Sequence, residues 1–364
     1  MDQLYLHGGA EKIVSLKLNS FASIEANKVF LVTTEQMNNA VVYPLDERVE
    51  LIDLSINYDR KVSYFHPRNL IKSLKHFLKL RRKISELNGD VIISVSQTPD
   101  QYFLPFIDRT VPKVKEFHSS GYASLNFTKK GLKAKLFNTY EKYDSLVVLN
   151  KDESQYYPFD NVSIIPNFIS QNSHNKPVDS GIRKRRIIAA GRVAEVKQFD
   201  HLIDAWSLLF EKYVDWSVEI YGDGEKDFVR NINNIIDAKS VKNISLMGAT
   251  PELNRVMTES SVFAMTSSTE CFPMVLLEAM SNGLPIISYD CPHGPRNIIN
   301  KNTGVLIDRN NPIKFAEGIS LLIDNNENRE SMAMRAKLSV EDYSEDIVMN
   351  KWRALFSNLR KEVI

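Results

Sequence analysis

Short runs of β-branched and aliphatic residues recur along this chain, and between them apolar residues return at every third or fourth position. These are the two spacings of buried strands and amphipathic helices. In the first half, Val29–Thr34, Asp90–Val95, Lys113–Phe117 and Leu146–Leu149 predict buried strands. A helix is predicted from about Asn69 to Asn88, where Leu70, Leu74, Phe77, Leu78, Ile84 and Leu87 keep the spacing of one buried face. A polar stretch, Asn167–Gly181, reads as a linker. Beyond it a second series begins, with strands predicted at Arg186–Gly191, Trp216–Tyr221, Ile244–Met247, Val262–Met265 and Leu284–Ser288. Helices are predicted at Asp200–Tyr213, Lys226–Ala238, Met274–Asn282 and Glu345–Leu359. Strands alternating with helices imply parallel sheets covered on both faces. The expected fold class is α/β, with two Rossmann-like doubly wound domains over residues 1–168 and 169–340. Ligands of such sheets bind beyond the C-terminal strand ends, so the expected site is the cleft between the two.

Composition narrows the function. The 364 residues suit two or three domains. With 46 Lys and Arg against 45 Asp and Glu, the net charge of +1 argues against a nucleic-acid-binding coat and against an acidic tail. Two cysteines, Cys271 and Cys291, exclude a disulfide scaffold and a structural zinc site of four Cys or His. No apolar run approaches the ~18 residues of a membrane span, and the first residues lack a signal-peptide core. A soluble cytoplasmic enzyme is expected. Two basic clusters stand out: Lys72, Lys75, Lys79, Arg81, Arg82 and Lys83, then Lys129, Lys130, Lys133 and Lys135. The bland reading is a solvated helix face. The sharper one is an anionic membrane surface, the inner face of the plasma membrane, met by Lys72, Lys75, Lys79, Arg82 and Lys83.

Four segments carry candidate chemistry. In Thr266–Glu278 a strand ends, Glu270 sits in a loop, and Pro273 stands where a helix would begin, so the free amides of the next turn form a site for an anion or sugar hydroxyls. Glu270 and Glu278 can meet different parts of one extended ligand. In Ala189–Asp200, Arg192 and Lys197 follow a strand end and suit a diphosphate. Gly8 and Gly9 before a helix let backbone approach a ligand. His118 lies just past a strand. Each has an ordinary alternative: a surface loop, a basic loop, a turn, a structural histidine. Gly222–Glu225 follows a strand but lacks the third glycine of a dinucleotide fingerprint, and no Asp-x-Asp occurs, so no metal is expected in the chemistry.

Taken together, these segments resemble the family 4 glycosyltransferases of the GT-B fold, over nearly the whole chain and most strongly from Arg186 to Asp308. The resemblance rests on Gly191-Arg192…Lys197, Tyr221–Glu225, Glu270-x7-Glu278, Ala279–Pro285 and Asp290–Arg296 in the family's order and spacing. Gly8–Glu11 and Glu116–His118 add matches in the first half. It implies a retaining, metal-independent enzyme without a cofactor, using a nucleotide sugar, by the same analogy a UDP-sugar, as donor to a glycan or lipid-linked glycan. By that analogy Arg192 and Lys197 bind the diphosphate, and Glu278 binds the ribose. Glu270 and the backbone of Cys271, Phe272, Pro273, Met274 and Val275 hold the donor sugar. His118 contacts that sugar beside the reacting carbon, and Gly8 and Gly9 lie near the phosphates and the acceptor. The subgroup resembles bacterial capsule and surface-polysaccharide transferases. In similar folds a final helix, here about residues 341–364, packs back on the first domain. Cys271 and Gln198 stand where the family commonly has glycine. The family usually has a full strand before the paired glycines, and only Leu4–Leu6 stands here, so that strand is either stunted or trimmed. A nucleotide-sugar epimerase of the same fold and a non-catalytic nucleotide-sugar-binding subunit remain open as alternatives.

Overall fold

The computed structural model describes residues 1–125, 132–170 and 183–361. Lys129 and Lys130 of the second basic cluster, and most of the expected linker, lie outside them.

The first half holds six strands: β1 (Val29–Thr33), β2 (Val49–Asp53), β3 (Ile92–Ser94), β4 (Lys113–Glu116), β5 (Ser145–Val148) and β6 (Val162–Ile164). The second half holds β7 (Arg186–Ala190), β8 (Ser217–Tyr221), β9 (Ile244–Gly248), β10 (Val262–Met265), β11 (Ile286–Tyr289) and β12 (Gly304–Ile307). Every pairing between them is parallel. The fold is α/β of the doubly wound kind. The second sheet, ordered β12-β11-β10-β7-β8-β9, shows why its central strands β7 and β10 read as nearly unbroken apolar runs. Along β7, Ile187 and Ala189 enter one core with Trp206 and Phe315, while Ile188 and Ala190 enter another with Phe263 and Leu276. Both faces are covered, so both sets of alternating side chains are apolar. The strands missing from the sequence reading, β2, β6 and β12, all lie at sheet edges. There one side is exposed and the apolar signal thins, as at Leu51 and Ile164.

The C-terminal helix, Glu345–Lys361, buries Val348, Met349 and Trp352 against Ile13, Val114, Val147 and Phe168 of the first half. The chain thus returns to the sheet it left.

The first half departs from one continuous sheet. β1 pairs only with β2, and β3 to β6 form a separate sheet. Between the facing edges of β1 and β3 lies a cavity of about 940 Å³, lined also by Val14 and Lys17 and by Leu80, Ile84 and Phe356. Leu4–Leu6 form no strand: Gln3 Oε1 accepts from the amides of Tyr5 and Leu6 and bends the segment. Met1 donates its ammonium to Val32 O at 2.8 Å.

Helix α1 (Gly9–Ala22) follows the paired glycines, and α2 (Pro67–Leu87) spans the predicted helix. The buried face of α2 differs from the expected one. Asn69, His76, Leu80 and Ile84 are buried, whereas Leu70, Leu74 and Leu78 are half exposed or more. Asn69 goes inside because its amide donates to Asp59 O and Ser63 O and accepts from Asp59 N. His76 goes inside against the Tyr58 hydroxyl. The basic cluster is redistributed as well. Lys72 and Lys79 donate to the backbone carbonyls of Asn57 and Leu54, and Lys83 pairs with Glu86. Of the five cations assigned to a membrane surface, those three are partly buried and held by the protein itself.

Candidate active site at the strand switch point

In the second sheet the chain runs outward from β7 to β8 and β9, then crosses back to place β10 beside β7. The strand order reverses between β7 and β10, and ligands of open α/β sheets bind just beyond such a point. Arg192 and Lys197 follow β7, and Glu270 follows β10.

The two loops are knitted together. Ser268 N donates to Val196 O at 2.8 Å, and Thr266 Oγ1 donates to Lys197 O at 3.0 Å. Lys197 Nζ lies 2.6 Å from Glu270 Oε1, both side chains mostly buried. Arg192 is exposed and makes no ion pair with a described residue. The loop after β7 is braced from behind by the Gly222–Glu225 segment: Gly191 N donates to Tyr221 O at 3.0 Å, and Val193 N to Asp223 O at 2.8 Å. A Cβ on Gly222 would stand 1.8 Å from Gly191 O, and one on Gly224 2.0 Å from Val193 O. These glycines therefore serve backbone approach within the protein. Gln198 ends the loop in the left-handed conformation, φ +45°, which explains why glycine suits that position. Cys271 has no positive φ, so its backbone makes no such demand.

The Glu270 loop has its own brace. Glu270 N donates to Pro292 O at 3.0 Å, and Gly294 N donates to Glu270 O at 2.8 Å. Arg296 grips both oxygens of Asp290, at 2.8 and 2.6 Å, and so closes the Asp290–Arg296 segment on itself. The helix Met274–Ser281 begins at Met274 as expected, with Pro273 as the cap residue just before it. No side chain caps it, so its first amides are open to a ligand. The side chains of Cys271, Phe272 and Val275 belong to the core, and Met274 packs between two clusters, which leaves the backbone of 271–275 as the part facing outward chemistry. Burial pushes the Cys271 thiol well up, so it is protonated.

Contacts across the two halves complete the site. Lys12, in the first turn of α1 after Gly8 and Gly9, lies 2.5 Å from Glu278 Oε1. Burial lowers the Lys12 ammonium's pKa, but Glu278 outweighs it and the net direction is upward. Asn150 donates to Cys271 O at 2.7 Å, and the Tyr156 hydroxyl lies 2.5 Å from His293 Nε2. The sequence reading missed Lys12, Asn150 and Tyr156. Only the proximity of Lys12 to the paired glycines could have marked any of them. His118 Nε2 lies 3.2 Å from Glu116 Oε1, its side chain 9% exposed, and among the described residues it makes no hydrogen bond or ion pair with the second half. Burial raises the Glu116 carboxyl, yet Lys17 and His118 together hold it at about 2. A cavity of about 490 Å³ beside the β7 loop is lined by Val193, Gln198, Phe228 and Asn231 and excludes Arg192, Lys197 and Glu270. The ion-paired loops mark the site better, because charge and open amides converge there. Among the described residues no cluster of three or more His, Cys, Asp or Glu is placed to hold a metal ion.

This architecture defines an α/β protein of three parallel sheets with its polar site at the β7–β10 switch point. Residues 172–339 match the family described as glycosyl transferases group 1. The chain is 27% identical to an uncharacterized glycosyltransferase of Haemophilus influenzae, over 92% of this chain and 90% of that one. It is 26% identical to the amylovoran biosynthesis glycosyltransferase AmsD of Erwinia amylovora, over 98% of each. Among solved structures, HepE of Anabaena, in complex with UDP and glucose, superposes with a TM-score of 0.77 at 17% identity, covering 99% of this chain and 98% of that one. Its second half thus resembles the group 1 glycosyl transferases, and the protein is a glycosyltransferase of the GT-B type.

Proposed function

We propose that the protein is a retaining hexosyltransferase that moves a hexose or N-acetylhexosamine from a UDP-sugar to a glycan carried on a lipid or a surface polysaccharide. The observation that carries this reading is the convergence of Arg192, Lys197, Glu270 and the open first turn of Met274–Ser281 at one strand switch point. Charge grows on the departing diphosphate during transfer, and fixed cations with helix-end amides stabilise it most in the transition state. Arg192 and Lys197 take the diphosphate without a metal ion. Lys197 then exchanges its partner Glu270 for phosphate, and Glu270 turns to the donor sugar with the backbone of 271–275. Glu278 exchanges Lys12 for the ribose hydroxyls. His118, fixed by Glu116, addresses the sugar beside the reacting carbon, and Gly8 and Gly9 keep α1 close to the phosphates and the acceptor. The UDP and glucose bound by HepE and the polysaccharide role in the name of AmsD favour the donor and acceptor classes.

Calorimetric titration with UDP tests the reading. The double variant Arg192→Ala, Lys197→Ala is expected to lose affinity by at least about a hundredfold, and Glu278→Ala by about tenfold. Glu270→Ala is expected mainly to slow turnover. Unchanged UDP affinity in the double variant refutes the phosphate role, and free sugar product from a UDP-sugar without acceptor favours an epimerase instead.

A further inference from the structure

Helix α2 turns apolar side chains to solvent. Leu70, Leu74 and Leu78, at i, i+4 and i+8, form one row, exposed by 50, 62 and 56%. Ile71 beside them is exposed by 73%, and Phe65 in the turn before the helix by 50%. Exposed cations continue the same face. Arg81 and Arg82 lie three turns beyond Leu70 and Ile71, Lys75 lies one turn beyond Ile71, and Arg68 flanks the start. Lys75 and Arg81 make no ion pair with a described residue, and no acid occurs from Pro67 to Ser85.

We propose that this face of α2 docks on the surface of an anionic phospholipid bilayer, with Phe65, Leu70, Ile71, Leu74 and Leu78 inserted among the acyl chains and Arg68, Lys75, Arg81 and Arg82 at the headgroups. Charge complementarity selects this occupant. An apolar row bordered by cations, with Glu86 beside Arg82 the one acid of the helix, fits an interfacial helix. A second copy of this chain would set the same cations against one another across a two-fold axis. The lysines that look most basic in sequence, Lys72 and Lys79, serve instead to fasten α2 to the segment after β2, so the helix is presented as a rigid bar. The surface lies outside the donor site, and the claim stands or falls independently of donor chemistry.

Co-sedimentation with vesicles tests it. The full chain is expected to sediment with vesicles of phosphatidylcholine containing about a quarter phosphatidylglycerol and to stay in solution with phosphatidylcholine alone. Two variants touch only exposed side chains: Ile71→Asp with Leu74→Asp, and Lys75→Gln with Arg81→Gln. Each is expected to lose at least about tenfold in partition at an unchanged melting temperature. Three results overturn the proposal. The first is a wild-type chain that ignores anionic vesicles. The second is variants that sediment like the wild type. The third is a concentration-dependent dimer abolished by the aspartates, which assigns the face to a second copy.

Discussion

Single residues in this protein act mainly by letting backbones meet. Gly222 is the sharpest case, because any side chain there collides with the carbonyl of Gly191 at the root of the loop that carries Arg192 and Lys197. Gly222→Ala is expected to cost about 2 kcal/mol in denaturant unfolding and to weaken UDP binding, since the loop must shift to make room. A variant with wild-type midpoint and affinity would show that the brace is dispensable. The Gly222–Glu225 segment reads in sequence as a dinucleotide fingerprint lacking its third glycine. Its role as a brace could not be read, because the residues that it supports lie 30 positions earlier. Lys12 illustrates the same limit. Its partner, Glu278, is 266 residues away, and locally only the nearby paired glycines set Lys12 apart from an ordinary surface lysine.

Elements were legible in proportion to their burial. The strands β7, β10 and β11 are buried at every position and, Arg186 and Ser288 apart, apolar, and their positions follow from that. The edge strands β2, β6 and β12 were not legible, and neither was the rotation of α2, because polar residues with filled hydrogen bonds, Asn69 and His76, took its buried face. The junction of α1 with β4 offers a test at this scale. Lys17 of α1 pairs with Glu116 of β4, both buried, and holds that carboxyl at about 2 against an ordinary 4.5. Between those values the unfolded chain binds more protons than the folded one. The stabilisation is therefore complete above the ordinary value and is lost as pH falls toward about 2. The urea midpoint is expected to drop between about pH 6 and about pH 3. The double variant Lys17→Met, Glu116→Gln is expected to flatten that drop, and an equal drop in both proteins would remove the pair from the account.

At the scale of the whole molecule, the gap between β1 and β3 divides the first half into two leaves. A two-stranded sheet is marginal by itself, and the β1–β2 leaf has no strand hydrogen bonds to the rest. Helix α1 rivets it in place, with Val14 in the leaf's cluster and Ile13 in the cluster of the main sheet. The leaf is a natural unit of partial opening. In hydrogen–deuterium exchange, Val29–Thr33 and Val49–Asp53 are expected to exchange well before Lys113–Glu116 and Ser145–Val148. Simultaneous exchange of all four strands would mean that the sheets open as one. The rivet also begins at the paired glycines and carries Lys12 to Glu278 across the cleft. Breathing of the leaf and release of that latch would then be movements of a single lever, with its fulcrum on α1 and its far end at the proposed nucleotide site.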